Sequence, residues 1–218
     1  MTIAVWLGSA APLRSVRWLD GALAAAARLG PATAIAAGDA SWLELAADRA
    51  ARAHYACIGV PTDLRLDYLG WAQIVAAVAR ELGAATILVD EASRPERAPE
   101  VGAIAELLDV AQLTRAIALW ADGALLHASR AVGSSLDTVK LRGPAVIGVR
   151  LAAAALDEYP TPAPAVALRR IDLAALGLDP NVLAHRALPP RVVQPPRDTA
   201  AKVAEHLITH IVRQASEA

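Results

Sequence analysis

Short apolar runs separated by helical patterns set the limits on what this chain can fold into. Ile3–Leu7, Ala32–Ala37, Tyr55–Val60 and Ala85–Val89 are each long enough for one strand and apolar at nearly every position. Such a strand must be buried on both faces, and this is the signature of a parallel sheet covered by helices on two sides. The intervening segments supply the helices. Trp18, Leu19, Leu23, Ala26 and Ala27 recur at helical spacing until Gly30-Pro31. Ser41 is the expected N-cap of a helix to Arg52, with Trp42, Leu45 and Ala46 on one face. Asp67 opens a long helix to Leu82, and Gly83 closes it. The expected fold is therefore α/β: a three-layer, mostly parallel, Rossmann-like sheet built from βαβ units.

The next helix is placed where such folds bind ligands. Pro99-Glu100-Val101-Gly102 opens it after the strand ending at Val89, and its pattern predicts a helix as far as Gln112. In open α/β sheets ligands occupy the crevice outside the carboxyl ends of the strands. A helix N-terminus there presents free N–H groups to an anion. Beyond Gln112 the pattern changes. Ala116–Trp120, Asp122-Gly123, Ala124–Ala131, Gly133-Ser134-Ser135, Leu136–Leu141 and Ala145–Leu151 predict strands joined by tight turns, with Asp-Gly a strong hairpin signal. They form an antiparallel extension on the parallel sheet. From Asp157 to Pro196 prolines recur, including Pro160, Pro162, Pro164, Pro189-Pro190 and Pro195-Pro196. They force extended backbone. We expect an α/β domain over 1–156 and an arm over 157–218, ending in an amphipathic helix from Thr199 to Gln214 that needs a surface to pack on. That surface is either a partner or the chain's own domain.

Composition removes several function classes. Net charge is −1, so no basic field marks nucleic acid. The longest apolar run, Gly143 to Leu156, is broken by Arg150 and is too short to span a bilayer, so no membrane insertion is expected. The one cysteine, Cys57, lies in an apolar run, which suggests a buried thiol in a reducing compartment. No basic leader precedes the first strand, and a cytoplasmic location is expected. There is no Gly-x-Gly-x-x-Gly, no Walker loop and no Gly-x-Ser-x-Gly elbow. His206 and His210 are four apart on the last helix, a metal-ligand spacing that equally suits a solvated helix face, and no third ligand accompanies them. We expect no metal and no catalytic residue.

In order along the chain, several segments resemble one family. The helix Trp71–Leu82, the strand Thr86–Val89 and the Val101-Gly102 helix come first. Val139-Lys140-Leu141 with Pro144-Ala145-Val146-Ile147-Gly148-Val149-Arg150-Leu151 follows, then Tyr159, the run Val166–Ile171 and Leu188-Pro189-Pro190-Arg191. Together they are similar to the electron transfer flavoprotein beta subunit, the FixA-type family with an adenine-nucleotide alpha-hydrolase-like fold. The Ala- and Arg-rich, Lys-poor composition suggests its mycofactocin-associated kind. The resemblance implies a subunit without catalysis of its own. It would pair with an alpha subunit that carries most of the FAD site, and take electrons from a flavin- or nicotinamide-linked dehydrogenase. The family's beta subunit holds AMP at its strand ends, or a second FAD in bifurcating relatives.

Carried onto this sequence, the resemblance implies cofactor contacts at Trp6, Leu7, Gly8, Gly38, Asp39, Ser93, Arg94, Arg97, Val101 and Gly102. Three departures accompany it. The family's acidic and amide loop is replaced by Arg94-Pro95-Glu96-Arg97-Ala98-Pro99-Glu100, and Pro99 removes a backbone donor. The Arg-rich hairpin after the first strand is shortened to Gly8-Ser9-Ala10-Ala11-Pro12, and the docking Leu-Pro is Thr161-Pro162. Either Arg94 and Arg97 take the phosphate as guanidinium forks, or they are solvated and the nucleotide is lost. Two other readings fit the same sheet: a stand-alone adenine-nucleotide-binding protein or hydrolase, and a scaffold subunit without nucleotide.

Overall fold

The computed structural model describes residues 2–9, 20–91, 98–123, 125–151 and 167–185. All lie in the first of two compact units, Met1–Ala187. The expected closing helix, with His206 and His210, lies outside the described residues. Nine strands form one sheet: β1 (Ile3–Ser9), β2 (Ala32–Gly38), β3 (Ala56–Pro61), β4 (Thr86–Asp90), β5 (Ala111–Asp122), β6 (Leu125–Val132), β7 (Ser135–Leu141), β8 (Ala145–Val149) and β9 (Leu168–Arg170). Their spatial order is β7-β6-β5-β8-β4-β1-β2-β3-β9. From β5 across to β9 every pairing is parallel, and β6 runs against both its neighbours. The mostly parallel α/β sheet with an antiparallel extension is thus the observed architecture.

Side-chain alternation divides the core into two layers. Ile3, Val5 and Leu7 of β1 join Ala34 and Ala36 of β2 and Leu88 of β4 on one face. Ala4 and Trp6, Ile35 and Ala37, and Ile87 and Val89 fill the other. The first face is covered by α1 (Asp20–Ala27) and α2 (Ala40–Arg52), the second by α3 (Tyr68–Leu82) and α4 (Ala98–Leu108). The β5–β7 ribbon also contributes to the first layer through Leu119, Leu126 and Ala128. It can do so because β5 bends: its register shifts between Leu113 and Ala116 and again between Ala116 and Ala118, and Arg115 between them has φ of 61°. Of the segment expected as an arm, residues 167–185 add β9 beside β3, then a 3-10 turn (Ala174–Leu176) and α5 (Pro180–Ala184). Ile171, Leu173 and Leu183 bury themselves in the second layer.

Two expected boundaries moved, each for a capping reason. The cap of α2 is Asp39, not Ser41: the Asp39 carboxylate accepts from Trp42 N–H at 2.8 Å, and the Ser41 hydroxyl donates to that same carboxylate at 2.7 Å. The helix expected to reach Gln112 stops at Leu108, so Gln112 belongs to β5. Asp109 takes φ of 54°, its N–H bonds to Glu106 O and the Val110 N–H bonds to Ala105 O. This is a Schellman ending without the usual glycine. α2 ends the same way, with His54 at φ 60° and Tyr55 N–H on Ala50 O, and α3 ends on Gly83 at φ 58°. The cap of α3, Asp67, and its closing Gly83 match the sequence expectation.

A left-handed conformation costs an L-residue about 1 kcal/mol that glycine avoids. His54 is exposed, so His54→Gly should stabilise the chain by about 0.5–1 kcal/mol in urea unfolding, whereas a β-branched residue there should destabilise it.

Candidate functional site at the carboxyl edge

The chain runs outward from β1 through β2 to β3, then returns to place β4 on the other side of β1. The segments leaving β1 and β4 lead to helices on opposite faces, which makes the ends of these two strands the switch point at which open α/β sheets form their ligand crevice. Its floor is built from backbone and tryptophan. Gly8, at φ 98°, offers its carbonyl to Trp42 Nε1 at 3.0 Å. Trp6 is buried and donates from Nε1 to Glu100 Oε2 at 3.0 Å, while its ring packs 6.4 Å from Trp71. Glu100 stands in the first turn of α4, where a carboxylate complements the helix dipole. It is only 7% exposed, so its charge also faces inward, across to β1.

At the end of β4, Asp90 and Glu91 are buried as well. Glu91 is 2% exposed, and its carboxyl lies flat against Gly148 of β8: a Cβ on Gly148 would stand 2.3 Å from Glu91 Cδ. Its Oε2 accepts the Arg115 N–H at 2.8 Å. Burial pushes the Glu91 carboxyl above its ordinary range, with the Arg115 N–H and the Arg150 and Arg115 charges opposing. Sequence analysis passed over this residue. The signal was two consecutive acids, Asp90-Glu91, closing an apolar strand where solvent would ordinarily begin.

The other sequence-derived candidates are spread widely. Leu7 is a core side chain, so only its backbone reaches the edge. The Gly38 carbonyl receives Thr62 N–H at 3.0 Å. Asp39 is exposed, but its carboxylate is engaged as a cap; the Trp42 N–H and then the Ser41 hydroxyl hold it below the usual carboxylate range. Val101 is fully buried under α4. Gly102 faces the Gln112 side chain, whose Oε1 lies 3.0 Å from where a Cβ would stand, so this glycine serves helix-to-strand packing. Ser93, Arg94 and Arg97 lie outside the described residues. Away from the crevice, a pocket of about 300 Å³ lies beside α3, lined by Gln73, Arg80, Leu107 and Asp179 among others. Cys57 is buried and its pKa is pushed up to about 12 by burial. His127 is buried too, stacked on Trp120 at 5.3 Å.

The described charged groups buried at this edge are all carboxylates. They suit a phosphate poorly, and Pro99 withdraws a donor from the first turn of α4. Among the described residues no cluster of metal-ligating side chains occurs, and no helix is long and apolar enough to cross a membrane.

A mostly parallel sheet with helices on both faces and a switch point between β1 and β4 defines an open α/β protein, a class whose ligands bind at that edge. Within that class, residues 19–176 match the model of the electron transfer flavoprotein domain, and the chain belongs to that family. Its members are flavin-binding electron carriers that work with partner subunits and dehydrogenases. A search of curated proteins returns no match.

Two outcomes test this geometry. Gly148→Ala should destabilise the chain by about 1–3 kcal/mol in urea unfolding, because the added methyl displaces Glu91. Asp39→Asn should keep the α2 cap while flattening the acid limb of the stability–pH curve. The depressed carboxyl of Asp39 favours folding above its unfolded pKa, and that contribution is lost as pH falls through the folded value.

Proposed function

We propose that this chain is the beta-type subunit of an electron transfer flavoprotein, of the FixA-type and mycofactocin-associated kind. It pairs with an alpha subunit that carries most of the FAD site, and the complex passes electrons from a flavin- or nicotinamide-linked dehydrogenase to a downstream acceptor. The observation that carries this reading is a parallel sheet extended by the β5–β7 ribbon, with β8 inserted between β5 and β4, inside the family match. That span includes the Val101-Gly102 helix and the Lys140-Leu141 to Leu151 strand pair on which the resemblance rests. In this reading the chain catalyses nothing itself. The expected split at 156 is redrawn in this reading: the α/β domain takes in β9 and α5, and the residues beyond Ala187 are the ones that reach the alpha subunit.

The flavin's chemistry is electron storage; this chain's part is to present a rigid strand edge and to keep water from it. The Trp6–Glu100 bond and the Trp6–Trp71 contact give that edge a fixed, largely apolar floor. Any nucleotide held by this chain itself would use the contacts that the resemblance implies: Trp6, Leu7, Gly8, Gly38, Asp39, Ser93, Arg94, Arg97, Val101 and Gly102. The buried carboxylates favour the second reading, a scaffold subunit without AMP.

Co-expression with a candidate alpha subunit tests the proposal. A yellow one-to-one complex that reduces with a partner dehydrogenase is the expected result. A colourless chain that ignores alpha subunits and retains AMP would favour the stand-alone nucleotide protein instead. Heat-releasing the ligand from the purified complex separates the remaining cases: FAD alone supports the scaffold form. FAD with AMP supports a nucleotide site, and Arg94→Ala or Arg97→Ala should then lower AMP retention severalfold.

A further inference from the structure

One side chain ties three strand ends together. The Glu91 N–H continues the β4–β8 ladder to Val149 O at 2.9 Å. The side chain then crosses β8 over Gly148, where no Cβ obstructs it, and reaches the Arg115 N–H of β5. Arg115 is the left-handed residue in the register shift just before Ala116, where β5 makes its last pairing with β8 and its first with β6 of the ribbon. The bond therefore holds the bend from which β5–β7 springs. Only one oxygen of the carboxyl is used. Oε1 is buried and has no hydrogen-bond partner among the described residues, which leaves a negative charge there poorly compensated.

We propose that Glu91 is a proton-operated latch: in its neutral form it stays folded over Gly148 and holds the β5 bend closed, and in its ionised form it turns out to water and frees the base of the ribbon. The charged groups that act on it are Asp90 from β4, Arg115 from β5 and Arg150 after β8. The described charge α4 brings into the crevice, Glu100, is turned to Trp6. Arg115 and Arg150 are exposed, so water screens their attraction, while Asp90 is buried and repels. Neutral Glu91 keeps the Arg115 bond, because its carbonyl oxygen still accepts. Ionised Glu91 keeps that bond only by leaving Oε1 dry. The closed carboxyl titrates above the open one, so closure is complete below the ordinary carboxylate range and is lost as pH rises through the raised value.

Amide exchange on the full-length, 15N-labelled chain tests this directly. The readout is protection of the Arg115 amide relative to amides of the β1–β2 ladder, each divided by its intrinsic rate. Between about pH 4 and pH 8 the wild-type ratio should fall about tenfold for each unit separating the two titrations. Glu91→Gln cannot ionise but still accepts from Arg115, so its ratio should stay high at every pH. Glu91→Ala removes the bond, and its ratio should be low throughout. Gly148→Ala blocks the crossing and should resemble it, with Glu91 still present. A wild-type ratio flat in pH overturns the latch, and so does a Glu91→Gln ratio that falls in step with the wild type. Neither Glu91→Gln nor the wild type depends on the folding of the two disruptive variants.

Discussion

Everything in this molecule hangs on β1 being parallel to both neighbours and dry on both faces. Ile3, Val5 and Leu7 point into one layer, Ala4 and Trp6 into the other, and none of them meets water. A strand so placed can occupy only the middle of the sheet, and its carboxyl end then becomes the meeting point of chain segments that leave for opposite faces. The crevice is a consequence of that position. Alanine makes the arrangement compact. Ala34, Ala36, Ala22, Ala25 and Ala26 bring helix and sheet close together with little side-chain entropy to lose, and few large side chains are needed to fill the space between them.

The crevice differs from a generic anion site because the chain supplies its own negative charge there. Glu100 sits where a bound phosphate would profit from the dipole of α4, yet its carboxylate goes to an indole N–H on β1. Glu91 travels sideways along the strand ends and does not point out of them. Both contacts join elements distant in the chain, so the edge of the sheet is stiffened by hydrogen bonds in addition to apolar packing. Burying carboxyl groups in this way is costly, whether they are ionised or neutral, and such sites are often where function departs from the local rules of folding.

Most of the architecture was legible because its cause is periodic. Doubly buried strands read as continuous apolar runs, and Asp67 and Gly83 announce both ends of α3. The errors fell where a cap was made by an unusual residue. Asp109 closes α4 in a conformation for which the sequence offers glycine elsewhere, so the helical pattern runs on to Gln112 with no stop signal in it. Asp39 and Ser41 are both good caps, and only the geometry shows that one supports the other. The site was less readable. Glu91 acts through the emptiness above Gly148 and through the backbone of Arg115, and neither a missing methyl nor a main-chain donor carries a side-chain signature. The resemblance marks Trp6 as a cofactor contact, whereas in the structure its indole bonds to Glu100 of the same chain.

Cys57 has a practical consequence. Its thiol lies in the core of β3 and stays protonated far above neutral pH, so it presents almost no thiolate to electrophiles while the sheet is intact. The native chain is thus already a silent background for site-directed labelling. A maleimide dye or spin label attached to a single cysteine introduced on the ribbon would report from that position alone. Labelling of Cys57 itself would count the molecules whose central layer has come apart.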